Sequence, residues 1–198
     1  MKQWELVVSE VDARCREDKI PMIGPVKARF LAEQIKQAAP KCVLECGTAI
    51  GYSGLWIAET LKHIGTGRLI TVELDGSRSN DARKNFEKAE VDELIDLVVG
   101  DAREVVADIT HGVDFLFLDN SWSNYFDSFQ SVKSRLVDKA VIVADNVGIG
   151  SEEMSDYLDF VRGRYKCETF WFETEVAWAE RDAMEVTQFR SDLRDSNG

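Results

Sequence analysis

VDFLFLD (113–119) and AVIVAD (140–145) decide the fold. Each is a nearly unbroken apolar run that ends on an aspartate. A strand with one wet face alternates apolar and polar residues, whereas a continuous apolar run fits a strand covered on both faces, as in a parallel sheet. Working outward, CVLE (42–45), RLITVEL (68–74) and LIDLVVG (94–100) read as three more strands. Helical patterns separate them. YSGLWIAETLKHI (52–64) stops at Gly65 and Gly67, and further helices are predicted over 77–90, 102–109, 124–136 and 151–163. Strands alternating with helices specify an α/β chain with helices on both faces of the sheet.

The two ends depart from this alternation. KCETFWFETEVAW (166–178) and AMEVTQFR (183–190) are β-rich runs joined by AERD, with no helix between them, so the spacing predicts an antiparallel hairpin added to the sheet. At the other end, 1–18 reads as an amphipathic helix with Trp4, Leu6, Val7, Val11 and Cys15 on one face. If that face finds no room on its own domain, it packs across a homodimer. IPMIGP (20–25) reads as a loop, and 26–38 as a helix with Phe30, Leu31 and Ile35 inward, closed by Pro40. The expectation is a mostly parallel seven-stranded sheet in one domain over 1–198, with N-terminal helices over 1–38 and a frayed tail from 191.

A net charge of −12 disfavours nucleic acid, which needs a basic surface to displace counterions, and disfavours anionic membranes. No apolar run approaches the ~20 residues of a spanning helix. The segment MKQWELVVSEVDARCRED is too densely charged for a signal peptide, so the chain reads as cytoplasmic. Cys15, Cys42, Cys46 and Cys167 then read as reduced thiols, and with only His63 and His111 beside them no zinc set is apparent.

LECGTAIGYS (44–53) is a strand end, a glycine-bearing turn and a helix start. Gly47 and Gly51 let the backbone turn tightly and approach a ligand, and the helix start offers free N–H groups. The spacing is G-x-x-x-G, not the dinucleotide G-x-G-x-x-G, and an acid at Glu45 suits a ligand with a positive centre. Glu73 ends the second strand, where an acid can accept from both ribose hydroxyls. Asp101 and Ala102 follow the third strand, where an adenine amino group can be read. Singly, each has an ordinary explanation: turn glycines, a solvated strand end, a helix N-cap. Together, after three successive strands, they describe a cofactor edge.

FLDNSW (117–122) and VADNVG (143–148) end the fourth and fifth strands. If those strands are neighbours, Asp119, Asp145 and Asn146 converge as three hard oxygen donors, which suit Mg²⁺ better than Zn²⁺.

These motifs together resemble the metal-dependent O-methyltransferases, the family of catechol and caffeoyl-CoA O-methyltransferases. VLECGTAIGYSGLWIAETL, TVELD, VVGDA, FLDNSWSNY and VADNV are similar to its successive strand-end motifs, from about Ile20 to Gly150. The resemblance implies a Rossmann-like methyltransferase fold, S-adenosylmethionine, Mg²⁺ or another divalent cation, and a small hydroxylated, catechol-like acceptor. By that match Glu45, Gly47, Thr48, Gly51, Tyr52 and Ser53 surround the methionine part of the cofactor. Met22, Ile23 and Gly24 cover the sulfonium, Glu73 holds the ribose, Asp101 and Ala102 hold the adenine, and Leu74 also binds the cofactor. Asp119 and Ser121 adjoin the cofactor, and Asp119, Asp145 and Asn146 are the catalytic metal ligands.

Two positions break the pattern. Relatives carry a lysine, proposed as general base, three residues after the first metal aspartate; here that residue is Trp122. Catechol-type relatives carry a tryptophan two residues after it; here that residue is Ser121. Trp122 and Trp178 are candidate walls for a flat acceptor, while Trp171 in TFWFET reads as core or sheet packing. Two other functions stand beside the leading one: a tRNA hydroxyuridine methyltransferase, and a cofactor-binding protein that has lost catalysis. The acceptor, the regiochemistry and the general base are not specified by the sequence.

Overall fold

The computed structural model describes residues 2–105, 109–174 and 179–191. Five strands run parallel: β1 (Cys42–Cys46), β2 (Arg68–Glu73), β3 (Ile95–Val99), β4 (Val113–Leu118) and β5 (Leu136–Ala144). The hairpin of β6 (Lys166–Glu173) and β7 (Arg181–Gln188) joins antiparallel, β7 beside β5, giving the order β3-β2-β1-β4-β5-β7-β6. The expected seven-stranded sheet is therefore present, with its order reversing between β1 and β4. Ligands in such sheets bind at the carboxyl strand ends near that reversal.

Helices α1 (Gln3–Asp18), α2 (Gly24–Ala38), α3 (Tyr52–Ile64) and α4 (Gly76–Lys88) share one apolar layer with Val43, Phe115, Phe117 and Val143 of the sheet. The short α5 (Ala102–Val105), α6 (Tyr125–Lys133) and α7 (Ser155–Arg162) pack on the opposite face against Leu44, Leu116, Leu118 and Ile142. Neighbouring strand residues point to opposite layers, which is why these runs had to be apolar throughout.

Several boundaries shift. Helix α2 starts at Gly24 because Pro25 sits in its first turn, where no backbone N–H is needed. Strand β5 starts four residues earlier than read, since Leu136 pairs with Val113 across a register irregularity. Helix α7 starts four residues later than read, because Ile149 N–H is drawn to Asp182 and the chain turns before the helix.

The inward face of α1 is Val7, Val8, Val11 and Cys15; Leu6, expected inward, is exposed. That face packs within the chain, against α3 and α4, so the condition that would send it to a dimer is not met. Trp4 meets Trp56 edge-on at 5.3 Å. Phe30, expected in the core, is half-buried and stacks on Phe170 and Phe172 of the hairpin. The tail from 192 and Trp178 lie outside the described residues.

Candidate active site

The carboxyl ends of β1, β2, β4 and β5 open onto a cavity of about 640 Å³. The glycine turn forms its floor. Gly47 has φ +102°, and a Cβ there would stand 2.2 Å from the backbone oxygen of Asp119. Only glycine lets the β1 turn pass so close to the end of β4. Thr48, Tyr52 and Ser53 line the wall beyond it, with Met22 and Ile23 above. Gly24 and Gly51 lie outside the wall. Gly51 (φ +93°) instead packs its Cα against the Phe86 ring, where a Cβ would come within 2.7 Å.

Glu45 is also not in the wall. It is fully buried beneath the turn, accepting from Thr71 Oγ1 at 2.5 Å, while its Oε1 has no partner. Burial pushes its carboxyl up to about 7, against hydrogen bonds from Ser53 and Thr71.

Glu73 and Leu74 line the cavity at the end of β2. The two Glu73 oxygens each accept a backbone N–H, from Ala49 at 2.8 Å and from Asp75 at 2.9 Å. The carboxylate therefore braces the glycine turn as well as facing the cavity. Asp101 and Ala102 complete this end. The Asp101 carboxylate is engaged by the Arg103 side chain and backbone N–H, which hold it below the usual carboxylate range, so its helix-capping role is present too.

The other end is acidic. Parallel pairing of Leu118 with Ala144 places Asp119 and Asp145 one residue beyond adjacent strand ends. Their backbones are pinned: Asp119 N–H donates to Cys46 O, Asp145 N–H to Leu118 O, and Tyr125 Oη to Asp145 O. Asp119, Asn146, Ser121 and Trp122 line the cavity, while Asp145 is only 2% exposed and stands behind them. The sequence reading missed what stands there with it. Lys27 Nζ, on α2, donates to Asp145 Oδ1 at 2.5 Å and to Asp182 Oδ2. Asp182 also accepts from Asn146 Nδ2 at 2.8 Å and from Ile149 N–H at 3.1 Å. Burial works to lower the Lys27 ammonium, but the two carboxylates outweigh it and hold its pKa above the ordinary value.

Asn146 adopts φ +56°, a left-handed conformation that asparagine tolerates better than most residues. Its amide nitrogen faces Asp182 and its Oδ1 accepts from Trp122 Nε1 at 3.2 Å. Asp119 makes no side-chain hydrogen bond among the described residues. Burial and the neighbouring Asp145 charge push its carboxyl well above the ordinary range. Trp122 packs against Gly150, where a Cβ would come within 2.8 Å of the ring.

A family model described as O-methyltransferase matches residues 6–154. The chain belongs to this O-methyltransferase family. A transmembrane O-methyltransferase of Propithecus coquereli is 33% identical over 157 residues, covering 75% of this chain and 56% of that protein. A catechol O-methyltransferase of Niastella koreensis is 30% identical over 129 residues, covering 63% and 58%. Among solved structures, an O-methyltransferase from Bacillus cereus in complex with SAH superposes with a TM-score of 0.82 at 20% identity, over 93% of this chain and 90% of that one. The chain thus spans little more than half the length of these curated relatives. No helix among the described residues is long and apolar enough to cross a membrane.

Within the family reading, the missed residues carried faint signals. Lys27 shares the buried stripe of α2 with Ala28, Leu31, Ala32 and Ile35, and a lysine on an apolar stripe demands a buried acid. Asp182 fell in AERD, read as a turn, whereas β7 begins at Arg181 and turns Asp182 inward. Trp171, read as core or sheet packing, is half-exposed on the hairpin, with the Arg181 guanidinium 5.4 Å from its ring.

Proposed function

We propose that this chain, read as one methyltransferase domain, transfers the methyl group of S-adenosylmethionine to a hydroxyl oxygen of a small, catechol-like acceptor, with a divalent cation. The observation that carries this is one continuous cavity that joins Glu73 and Asp101 at one end to Asp119, Asn146 and Trp122 at the other. Glu73, Leu74, Asp101 and Ala102 would hold the cofactor, and Asp119, Asn146 and Trp122 would face the acceptor.

The acidic end fits a cation. Asp119, Asp145 and Asp182, if ionised, bring three negative charges, and Lys27 returns one, leaving a deficit of two. Asp119 has no counter-ion among the described residues, and an uncompensated carboxylate in a confined site is costly. Asp119, Asp145 and Asn146 would hold the ion, an all-oxygen set suited to Mg²⁺ or Mn²⁺. When bound, such an ion orients the acceptor and lowers its hydroxyl pKa.

In the transfer the acceptor hydroxyl gives its proton to water, its oxygen forms the new bond to the methyl carbon as the C–S bond breaks, and the electron pair of that bond stays on sulfur. The residues of this chain align the two ends; no lysine at 122 takes the acceptor proton. Lys27 does not replace it, because its ammonium is buried and committed to two carboxylates. Acceptors whose hydroxyl is already acidic are therefore favoured, and a steep rate loss with more acidic analogues would refute this. Trp122 offers a flat ring to a flat acceptor. Free thiols at all four cysteines and the acidic charge support a cytoplasmic setting and argue against a tRNA substrate.

The test is a transfer screen over catechols, flavonoids and hydroxamates with and without Mg²⁺. Full turnover in excess chelator would remove the metal from this reading. Cofactor binding without transfer to any acceptor would favour a protein that has lost catalysis.

A further inference from the structure

The most unusual group in the molecule is the Lys27 ammonium. It is 7% exposed, and it joins two acids that are 2% and 1% exposed, one just past the end of β5 and one on β7. An ammonium and two carboxylates at such burial are tolerated only when mutually paired. The pairing is also directional. Lys27 takes the Asp145 Oδ1 oxygen, and the Asn146 backbone N–H supports the same carboxylate. Asp182 takes the Asn146 amide nitrogen, which fixes the flip of the amide and directs Oδ1 toward Trp122 and the cavity. Without Asp182, only the longer Trp122 Nε1–H bond to Oδ1 would select between the two amide orientations, one of which presents N–H donors to a cation.

We infer that Lys27 and Asp182 are positioning residues: through Asp145 and Asn146 they hold one carboxylate oxygen and one amide oxygen in ligand orientation. This rests on the proposed cation site and adds its supporting shell. Partners of this kind orient metal ligands, and their loss costs on the order of 10–100-fold in metal affinity. Lys27 sits on α2, directly after the Met22–Ile23 segment over the cavity, so the same ammonium ties that segment to the strand ends.

The experiment measures Mn²⁺ affinity by electron paramagnetic resonance of free Mn²⁺, with no acceptor and no turnover. The full chain and the variants Asp182→Ala, Asp182→Asn and Lys27→Met are compared. Binding of S-adenosylhomocysteine, by calorimetry, checks that each variant is folded at the cofactor end. Asp182→Ala should lose about tenfold or more in Mn²⁺ affinity. Asp182→Asn should recover most of it, since its amide oxygen still accepts from Asn146 Nδ2. Lys27→Met should also bind more weakly, although it adds net negative charge.

Equal losses in the two Asp182 variants would mean that the charge alone attracts the ion, overturning the positioning role. Unchanged affinity with lowered thermal stability would reduce both residues to structural supports. Tighter binding in Lys27→Met would show the ammonium competing for the site, which also overturns the inference. If the unmodified chain binds no Mn²⁺ while retaining S-adenosylhomocysteine, the cation reading itself fails, and this inference with it. Should Lys27→Met not fold, the Asp182 pair decides alone.

Discussion

Replacing Glu45 by glutamine should flatten the pH dependence of stability of the ligand-free protein. Glu45 is fully buried with one oxygen unpartnered, and burial holds its carboxyl at about 7 against an ordinary value of 4.5. Between those values the folded chain retains a proton that the unfolded chain has lost. Folding stability therefore falls as pH rises through this window, and the loss is complete above the folded pKa. At about 1.4 kcal/mol per pH unit, the interval corresponds to about 3 kcal/mol. Urea unfolding of both proteins at pH 5, 6, 7 and 8 measures it. The stability of the native chain relative to Glu45→Gln should decline by that order across the series. The glutamine adds buried N–H donors of its own, so the slope is the readout and the absolute offset is not. A cation above the turn favours ionised Glu45, so S-adenosylmethionine binding near pH 6 should release a proton, seen as buffer-dependent heats. Parallel stability curves in the two proteins would refute the buried, proton-holding Glu45.

Gly47→Ala should abolish S-adenosylhomocysteine binding and lower thermal stability, because its Cβ would stand 2.2 Å from Asp119 O at a φ of +102°; near-normal binding would show that the turn can move aside. Glu73→Gln should weaken the cofactor by about 0.5–1.5 kcal/mol per lost hydrogen bond. Glu73→Ala should cost more, since it also frees the N–H groups of Ala49 and Asp75; calorimetry giving equal affinities for all three proteins would remove Glu73 from the site. Trp122→Lys should raise the acceptor KM about fivefold or more, the scale of a ~1 kcal/mol aromatic contact, and Trp122→Phe should keep most of the affinity while losing the N–H bond to Asn146. Unchanged KM and unchanged S-adenosylhomocysteine affinity in Trp122→Lys would make the ring a bystander.

The sheet was legible because its evidence is local. FLFL and VIVA announce burial on both faces, and the missing helix between 166 and 190 announces the hairpin. Strand ends were legible for the same reason, which brought Glu73, Asp101, Asp119 and Asn146 to one cavity. What escaped depends on how distant segments meet. The depth of Glu45 is set by Thr71 and Ser53, neither of which is sequence-adjacent to it. The Lys27–Asp145–Asp182 cluster joins residues 118 and 155 positions apart, from a helix, a parallel strand end and the returning hairpin strand. Each looks ordinary alone: a lysine in a first turn, an acid at a strand end, an acid in a presumed turn. Only the return of β7 beside β5 makes the lysine necessary, because it adds Asp182 to a pocket that already holds Asp119 and Asp145. The hairpin, which the sequence displays merely as an appendage, thus supplies the acid that orients Asn146. A chain lacking it would keep Asp119, Asp145 and Asn146 at the same strand ends, and Lys27 on Asp145, but would lose the contact that orients the Asn146 amide.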